Sequence, residues 1–66
     1  MINEAAQDIE LNLERIRQQK RAIKMNMQQN KENPSVMEIL QGFWERMIVA
    51  EKDLEIALVD LIDLRD

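Results

Sequence analysis

Residues 33–40 read Asn-Pro-Ser-Val-Met-Glu-Ile-Leu and open a long segment in which apolar residues recur at alternating steps of four and three. These positions are Val36, Leu40, Phe43, Met47, Ala50, Leu54, Ala57, Leu61 and Leu64. Such spacing places all nine side chains on one stripe of a helix, as in a coiled-coil seam. The segment therefore predicts a helix over about 35–64, with Phe43 in its packed core.

The start of this helix has two interpretations. Ser35 followed three residues later by Glu38 forms a capping box, in which each side chain bonds the other residue's backbone N–H. Alternatively, Asn33 is the cap and Pro34 occupies the first helical position, where its missing N–H costs nothing. The two interpretations differ by two residues in where the helix begins, at Pro34 or at Val36.

A second stripe with the same spacing lies before this segment and predicts a helix over about 3–29. Its positions are Ile2, Ala6, Ile9, Leu13, Ile16, Lys20, Ile23 and Met27. Lys20 is the one polar member. A lone Lys at a core position either specifies the register and oligomeric state, or lays its aliphatic stem on the core and sends its ammonium to water. Leu11 and Met25 lie off the stripe and are expected to be exposed.

The two stripes are separated by a short polar stretch, 28–33, which ends at Pro34. Asn30 or Asn33 can adopt the left-handed conformation that ends helices, and the residue before a proline is disfavoured in helical conformation. A turn over about 30–34 between two long helices predicts an all-α antiparallel helical hairpin, forming a single domain over 1–66. Counting outward from this turn places Lys20 opposite Glu45.

The chain is short for a hydrophobic core of its own. Its 66 residues include no Cys and no His, so disulfides are excluded and metals lose their commonest soft ligands. We therefore expect a homo-oligomer, most simply a dimer that completes a four-helix bundle, or a helical protein partner. No cofactor is expected. No apolar run is long enough to span a membrane, and the acidic start lacks the features of a signal peptide, so a cytoplasmic location is expected.

The second helix carries more apolar surface than one neighbouring helix can cover. Outside the seam lie Met37, Ile39, Trp44, Ile48, Val49, Ile56, Leu58, Val59 and Ile62. A helix that is apolar nearly all round is normally buried nearly all round, and exposed apolar patches mark association surfaces. The predicted protein-binding residues are Met37, Trp44, Ile48, Leu58 and Ile62.

Catalysis finds little support in the sequence. Without His, Cys or Tyr, the usual bases and nucleophiles are missing, and no enzyme activity is predicted. Pairs of carboxylates at helical spacing, such as Glu10 and Glu14, could hold a hard cation, but an acidic helix face is usually only solvated, and no metal site is predicted.

One basic cluster is the alternative functional feature. Its members are Arg15, Arg17, Lys20, Arg21 and Lys24, within a stretch that contains no acidic residue. In a symmetric dimer such a patch could follow nucleic-acid phosphates. The net charge of −4 and the absence of an aromatic residue in that helix argue against nucleic-acid binding.

The sequence also resembles two groups of bacterial secretion proteins. Asn33-Pro34 followed by Leu40-Gln41 is similar to the turn and early second helix of type III secretion needle subunits. The chain length, with Trp44 and Arg46 in the second helix, is similar to the small chaperones of those subunits. Helical hairpins of this size also occur among plasmid and phage regulators. These resemblances imply a secretion subunit or chaperone, or a regulator, as alternatives to an adaptor or inhibitor that binds another macromolecule.

Overall fold

The computed structural model describes residues 2–65, with the side chains of residues 4–64. It contains α1, Ile2–Gln29, and α2, Pro34–Arg65, which pack against each other as a hairpin measuring 50 × 14 × 12 Å. The prediction of an all-α helical hairpin is confirmed. The side chain of Ile2, the first member of the α1 stripe, lies outside the described residues.

The turn between the helices is closed by Asn33 and Pro34, as in the second of the two interpretations. Pro34 is the first residue of α2, Met37 N–H donates to the Asn33 carbonyl at 3.0 Å, and Val36 N lies 3.4 Å from Asn33 Oδ1. The expected left-handed residue is not present, since no described residue has a positive φ. Instead residues 30–33 form a single turn, in which Asn33 N–H donates to the Asn30 carbonyl at 2.8 Å.

The core of the hairpin is thin. Leu13, at 3% exposure, is the one fully buried side chain among the described residues. The other described members of the α1 stripe are half-buried: Ala6, Ile9, Ile16, Lys20, Ile23 and Met27. Leu11 and Met25 are exposed, as predicted. Because two helices touch along a single line, neither can enclose the other's side chains.

The face that α2 turns toward α1 includes most of the predicted seam and extends beyond it toward Trp44. Seven of the nine members of the predicted seam are half-buried: Val36, Leu40, Met47, Ala50, Leu54, Ala57 and Leu61. The placement of Phe43 in the core is wrong, because Phe43 is 45% exposed, and Leu64 is also exposed. Met37, Trp44, Glu51 and Leu58 are also half-buried, and with Leu40, Met47, Leu54 and Leu61 they form an equally regular stripe with alternating steps of three and four. The contact face thus extends toward Trp44 and leaves Phe43 exposed.

Much of the apolar surface of α2 remains exposed to solvent. Its exposed large apolar side chains are Ile39, Phe43, Val49, Ile56, Val59, Ile62 and Leu64. No helix, over the residues that the structure describes, is long and apolar enough to cross a membrane. The hairpin therefore leaves a substantial apolar face without a packing partner of its own.

Candidate protein-binding surface

The five predicted binding residues divide into two groups. Met37, Trp44, Ile48 and Leu58 are half-buried, at or beside the face that packs on α1, whereas Ile62 is 47% exposed. Half-burial means that the first four already contribute to the hairpin itself. Their role in binding stays a prediction, and the larger accessible apolar surface lies elsewhere on α2.

That surface is a stripe on the side of α2 turned away from Trp44, which we call the outer strip. It comprises Ile39, Gly42, Phe43, Arg46, Val49, Asp53 and Ile56, spaced so that all lie on one side of the helix. Six of the seven are exposed, and Gly42 is half-exposed. Gly42, Arg46, Val49 and Asp53, together with Glu45 and Ala50, line an open hollow.

Gly42 is not required by the packing of the hairpin. A methyl group built at Gly42 would meet nothing within 4 Å. Glycine in a helix interior costs roughly 0.5–1 kcal/mol relative to alanine, because it loses more conformational freedom on folding. Within the single chain this cost has no compensating contact.

The two charges of the outer strip are also without ionic partners. Among the described residues, neither Arg46 nor Asp53 takes part in a salt bridge. They lie seven residues apart, a rise of about 10.5 Å along the helix, so they do not neutralise each other. The Arg46 guanidinium instead lies 6.0 Å from the centroid of the Phe43 ring, within the range of a weak cation–π contact.

A cluster of ion pairs joins the two helices on the opposite side of α2. Lys20 Nζ donates to Glu51 Oε1 at 2.9 Å, and Arg17 Nε donates to Glu51 Oε2 at 3.2 Å. Arg17 also reaches Glu55, at 3.5 Å. The sequence places Lys20 roughly opposite Glu45, and in the structure its ammonium lies between the Trp44 ring and Glu51, so its ionic partner is Glu51.

The surroundings of Glu51 favour its charged form. The hydrogen bond from Lys20 is the main cause that lowers the pKa of Glu51, and the bond from Arg17 adds to it. Partial burial raises the pKa, and its effect is smaller than that of the Lys20 bond but larger than that of the Arg17 bond. Glu51 therefore stays ionised and holds two cations of α1 against α2.

Trp44 lies beside the basic cluster, although the two are 20 or more residues apart in sequence. Lys20 Nζ is 5.3 Å from the centroid of the Trp44 ring. Arg17, Lys20, Arg21, Lys24 and Trp44 line one open hollow, which exposed Arg15 does not reach. The sequence placed no aromatic residue in the basic helix, and the hairpin supplies one from the other helix.

The pairing of Glu51 with Lys20 and Arg17 is the contact that sequence reasoning missed. A signal for it exists in the sequence. The stripe through Trp44 contains a single charged residue, Glu51, just as the α1 stripe contains the single charged residue Lys20. One acid and one base, each alone in an apolar stripe, are expected to pair when the two stripes meet.

The carboxylates do not assemble into a metal centre in the part of the chain that the structure describes, where no group of three acidic side chains is close enough to hold an ion. Glu51 and Glu55 approach α1, and both form ion pairs there, Glu51 with Arg17 and Lys20 and Glu55 with Arg17.

Comparison with protein-family models, with curated proteins and with solved structures finds no match to this chain.

Proposed function

We propose that this chain is a non-catalytic interaction protein that associates with another helical surface through the exposed apolar side chains of α2. The observation that carries the proposal is the imbalance of burial. Among the described side chains one is buried, Leu13, while seven large apolar side chains of α2 are exposed. Burying exposed apolar area is the main driving force of protein association.

The accessible area supports the same conclusion. A compact monomer of this mass, 7.8 kDa, is expected to expose about 4400 Å². The hairpin exposes 5333 Å². The excess of roughly 900 Å² is close to the area of about 800 Å² that each partner buries in a standard protein interface.

A capture experiment with matched variants tests this function. Tagged wild-type protein, Ile56→Asp and Leu11→Asp are each incubated with a lysate of the source cells. Ile56 and Leu11 are similarly exposed, at 61% and 55%, but Ile56 is on α2 and Leu11 on α1. The bound species, whether a second copy or a different protein, should be retained by wild type and Leu11→Asp and lost by Ile56→Asp. Equal retention by all three proteins would contradict the proposal.

A second candidate, nucleic-acid binding, is favoured by the position of Trp44. Arg21 and Lys24 have no ionic partner among the described residues, and Trp44 lies in the same hollow, so the site combines cations with an aromatic ring. Arg17 and Lys20 are already paired with acids, which leaves Arg21 and Lys24 in this hollow to contact phosphates.

Titration of single-stranded oligonucleotides at several salt concentrations, followed by Trp44 fluorescence, tests this candidate. Salt-dependent quenching that Lys24→Glu abolishes would support it, and unchanged fluorescence would reject it.

The resemblance to secretion needle subunits and their chaperones remains a prediction. It rests on the Asn33-Pro34 turn with Leu40-Gln41, and on Trp44 with Arg46. Of these residues, Arg46 lies on the outer strip and Trp44 lies at the contact between the helices. Either type of protein would use a helical hairpin to bind another helix, which agrees with the function proposed here.

A further inference from the structure

We propose that the outer strip of α2 binds the outer strip of a second copy of this chain, with the two α2 helices antiparallel about a twofold axis that passes between Val49 and Ala50. This inference rests on the proposed function and specifies its partner. It differs from that function because it commits to one occupant, one orientation and one register.

The charges of the strip specify the orientation. Arg46 and Asp53 lie at equal distances on either side of the midpoint between Val49 and Ala50. In an antiparallel pair, Arg46 of each copy therefore faces Asp53 of the other, and the twofold axis repeats this ion pair. A parallel pair in register would place Arg46 against Arg46 and Asp53 against Asp53, which is unfavourable.

The register that pairs these charges also pairs the uncharged residues. Phe43 and Ala57 lie two heptads apart on one flank of the strip, and an antiparallel twofold pair sets each flank against the same flank of the second copy, so each Phe43 lies against Ala57 of that copy. Gly42 and Ile56 share the other flank, so each Gly42 lies against Ile56 of the second copy, a large side chain against a residue that has none. The open space at Gly42 is then occupied by the second copy, which gives the helix-interior glycine a physical reason.

The neighbouring surface of α1 leaves this side accessible to a second copy. All four cations that line the hollow with Trp44 lie on the other side of the hairpin. On the side of α1 nearest the outer strip, the residues next to the α1 stripe recur every seven positions. They are Ala5, Asn12, Gln19 and Asn26, and none of them is charged. A second copy that binds the outer strip therefore contacts Arg46 and Asp53 of α2 and meets no charged side chain from this column of α1.

Charge reversal provides the test. Wild type, Arg46→Glu, Asp53→Arg and the double variant Arg46→Glu/Asp53→Arg are compared by sedimentation equilibrium across the micromolar range. Lys52→Glu serves as the matched control, because it makes the same change of charge at an exposed α2 position outside the strip. Circular dichroism checks that each variant remains helical.

Wild type and Lys52→Glu should be dimeric. Each single reversal should raise the dimer dissociation constant by on the order of tenfold, because it creates two like-charge contacts per dimer. The double variant should recover most of the loss, since it restores both ion pairs with their signs exchanged. A monomeric wild type would overturn the inference, while the proposed function would still be decided by the capture of a foreign partner. A dimer that ignores the single reversals, or a double variant that does not recover, would also overturn it, because the dimer would then form through another surface or register.

Discussion

Lys20 and Glu51 form a close ion pair between the two helices, with Lys20 Nζ donating to Glu51 Oε1 at 2.9 Å. Each is the one charged residue in its own apolar stripe, and each side chain is largely covered, at 22% and 17% exposure. The pair fixes α1 against α2 in one register, because sliding either helix by a turn would leave a charge against apolar side chains. The pair thus agrees with the register-specifying role of Lys20, which it fulfils together with a carboxylate on α2.

Replacing Lys20 should destabilise the hairpin. Lys20→Leu leaves Glu51 with one cation instead of two in a partly covered position, and it removes the cation from the face of Trp44. We expect a lower melting temperature by circular dichroism. The double variant Lys20→Leu/Glu51→Leu is the control, and it should be at least as stable as the single variant because no carboxylate is left without its partner. A more stable Lys20→Leu single variant would contradict the importance of the pair.

The same pair predicts an acid-dependent loss of stability. The folded state lowers the pKa of Glu51 below its ordinary value of 4.5, so the contribution to stability is fully present above that value. It should be lost as the pH falls from 4.5 through the lowered pKa, where Glu51 becomes protonated in the folded protein. Thermal melts over this acidic range should show a steeper decline for wild type than for Glu51→Gln. Parallel declines would mean that Glu51 does not couple to folding.

Leu13 should be the most sensitive apolar position in the chain. Leu13→Ala removes the one fully buried side chain of the described residues and should cost about 2–5 kcal/mol, a large share of the stability of a small domain. Leu11→Ala, two residues away and exposed, should change the free energy of unfolding by less than about 0.5 kcal/mol. Urea denaturation of both variants measures the difference. Similar losses at the two positions would show that the packing of α1 is wrongly described.

The start of α2 gives a further pair of matched variants. Asn33→Ala removes the side chain that caps the helix and should cost about 1 kcal/mol. Ser35→Ala should have little effect, because the structure uses Asn33 rather than Ser35 as the cap. If urea denaturation shows the larger loss for Ser35→Ala, the helix begins with the Ser35–Glu38 capping box instead.

The sequence was sufficient to predict the two helices and the turn, and insufficient to predict which side of α2 meets α1. Helix and turn follow from local chemistry, namely apolar spacing and Pro34. The choice of face does not, because the stripes through Phe43 and through Trp44 have the same period and share Leu40, Met47, Leu54 and Leu61. The stripe through Phe43 is uniformly apolar, which favours it when the sequence alone is considered. In the structure the contact extends to the stripe that contains Glu51, whose carboxylate compensates Lys20, and leaves Phe43 exposed.

The candidate surface was predictable in kind but not in position. An excess of apolar residues on α2 was evident from the sequence, and the exposure of Ile39, Val49 and Ile56 agrees with it. The identity of the exposed set depended on the choice of face. Because the side of α2 that packs on α1 includes Trp44, Trp44 is half-buried and Phe43 is exposed as part of the outer strip. The proximity of Trp44 to the basic cluster required the three-dimensional register of the helices and could not be read from either helix alone.

Gly42 connects the stability of the hairpin to its association. Gly42→Ala should stabilise the isolated hairpin by up to about 1 kcal/mol, since alanine is the better helix former and its methyl group meets nothing within the chain. The same change should weaken self-association, because the added methyl group occupies the space that the second copy is proposed to fill. Urea denaturation at low concentration and sedimentation at high concentration separate these effects. Stabilisation without weaker association would place Gly42 outside the interface.

The central claim is that the outer strip of α2 is covered by a second copy, and the solution mass of the wild-type chain tests it most directly. Sedimentation equilibrium at micromolar concentration should give twice the chain mass of 7.8 kDa, and Ile56→Asp should return the mass to that of one chain while Leu11→Asp leaves the dimer intact. A wild-type protein that is helical and remains at the mass of a single chain over the whole concentration range would contradict the claim.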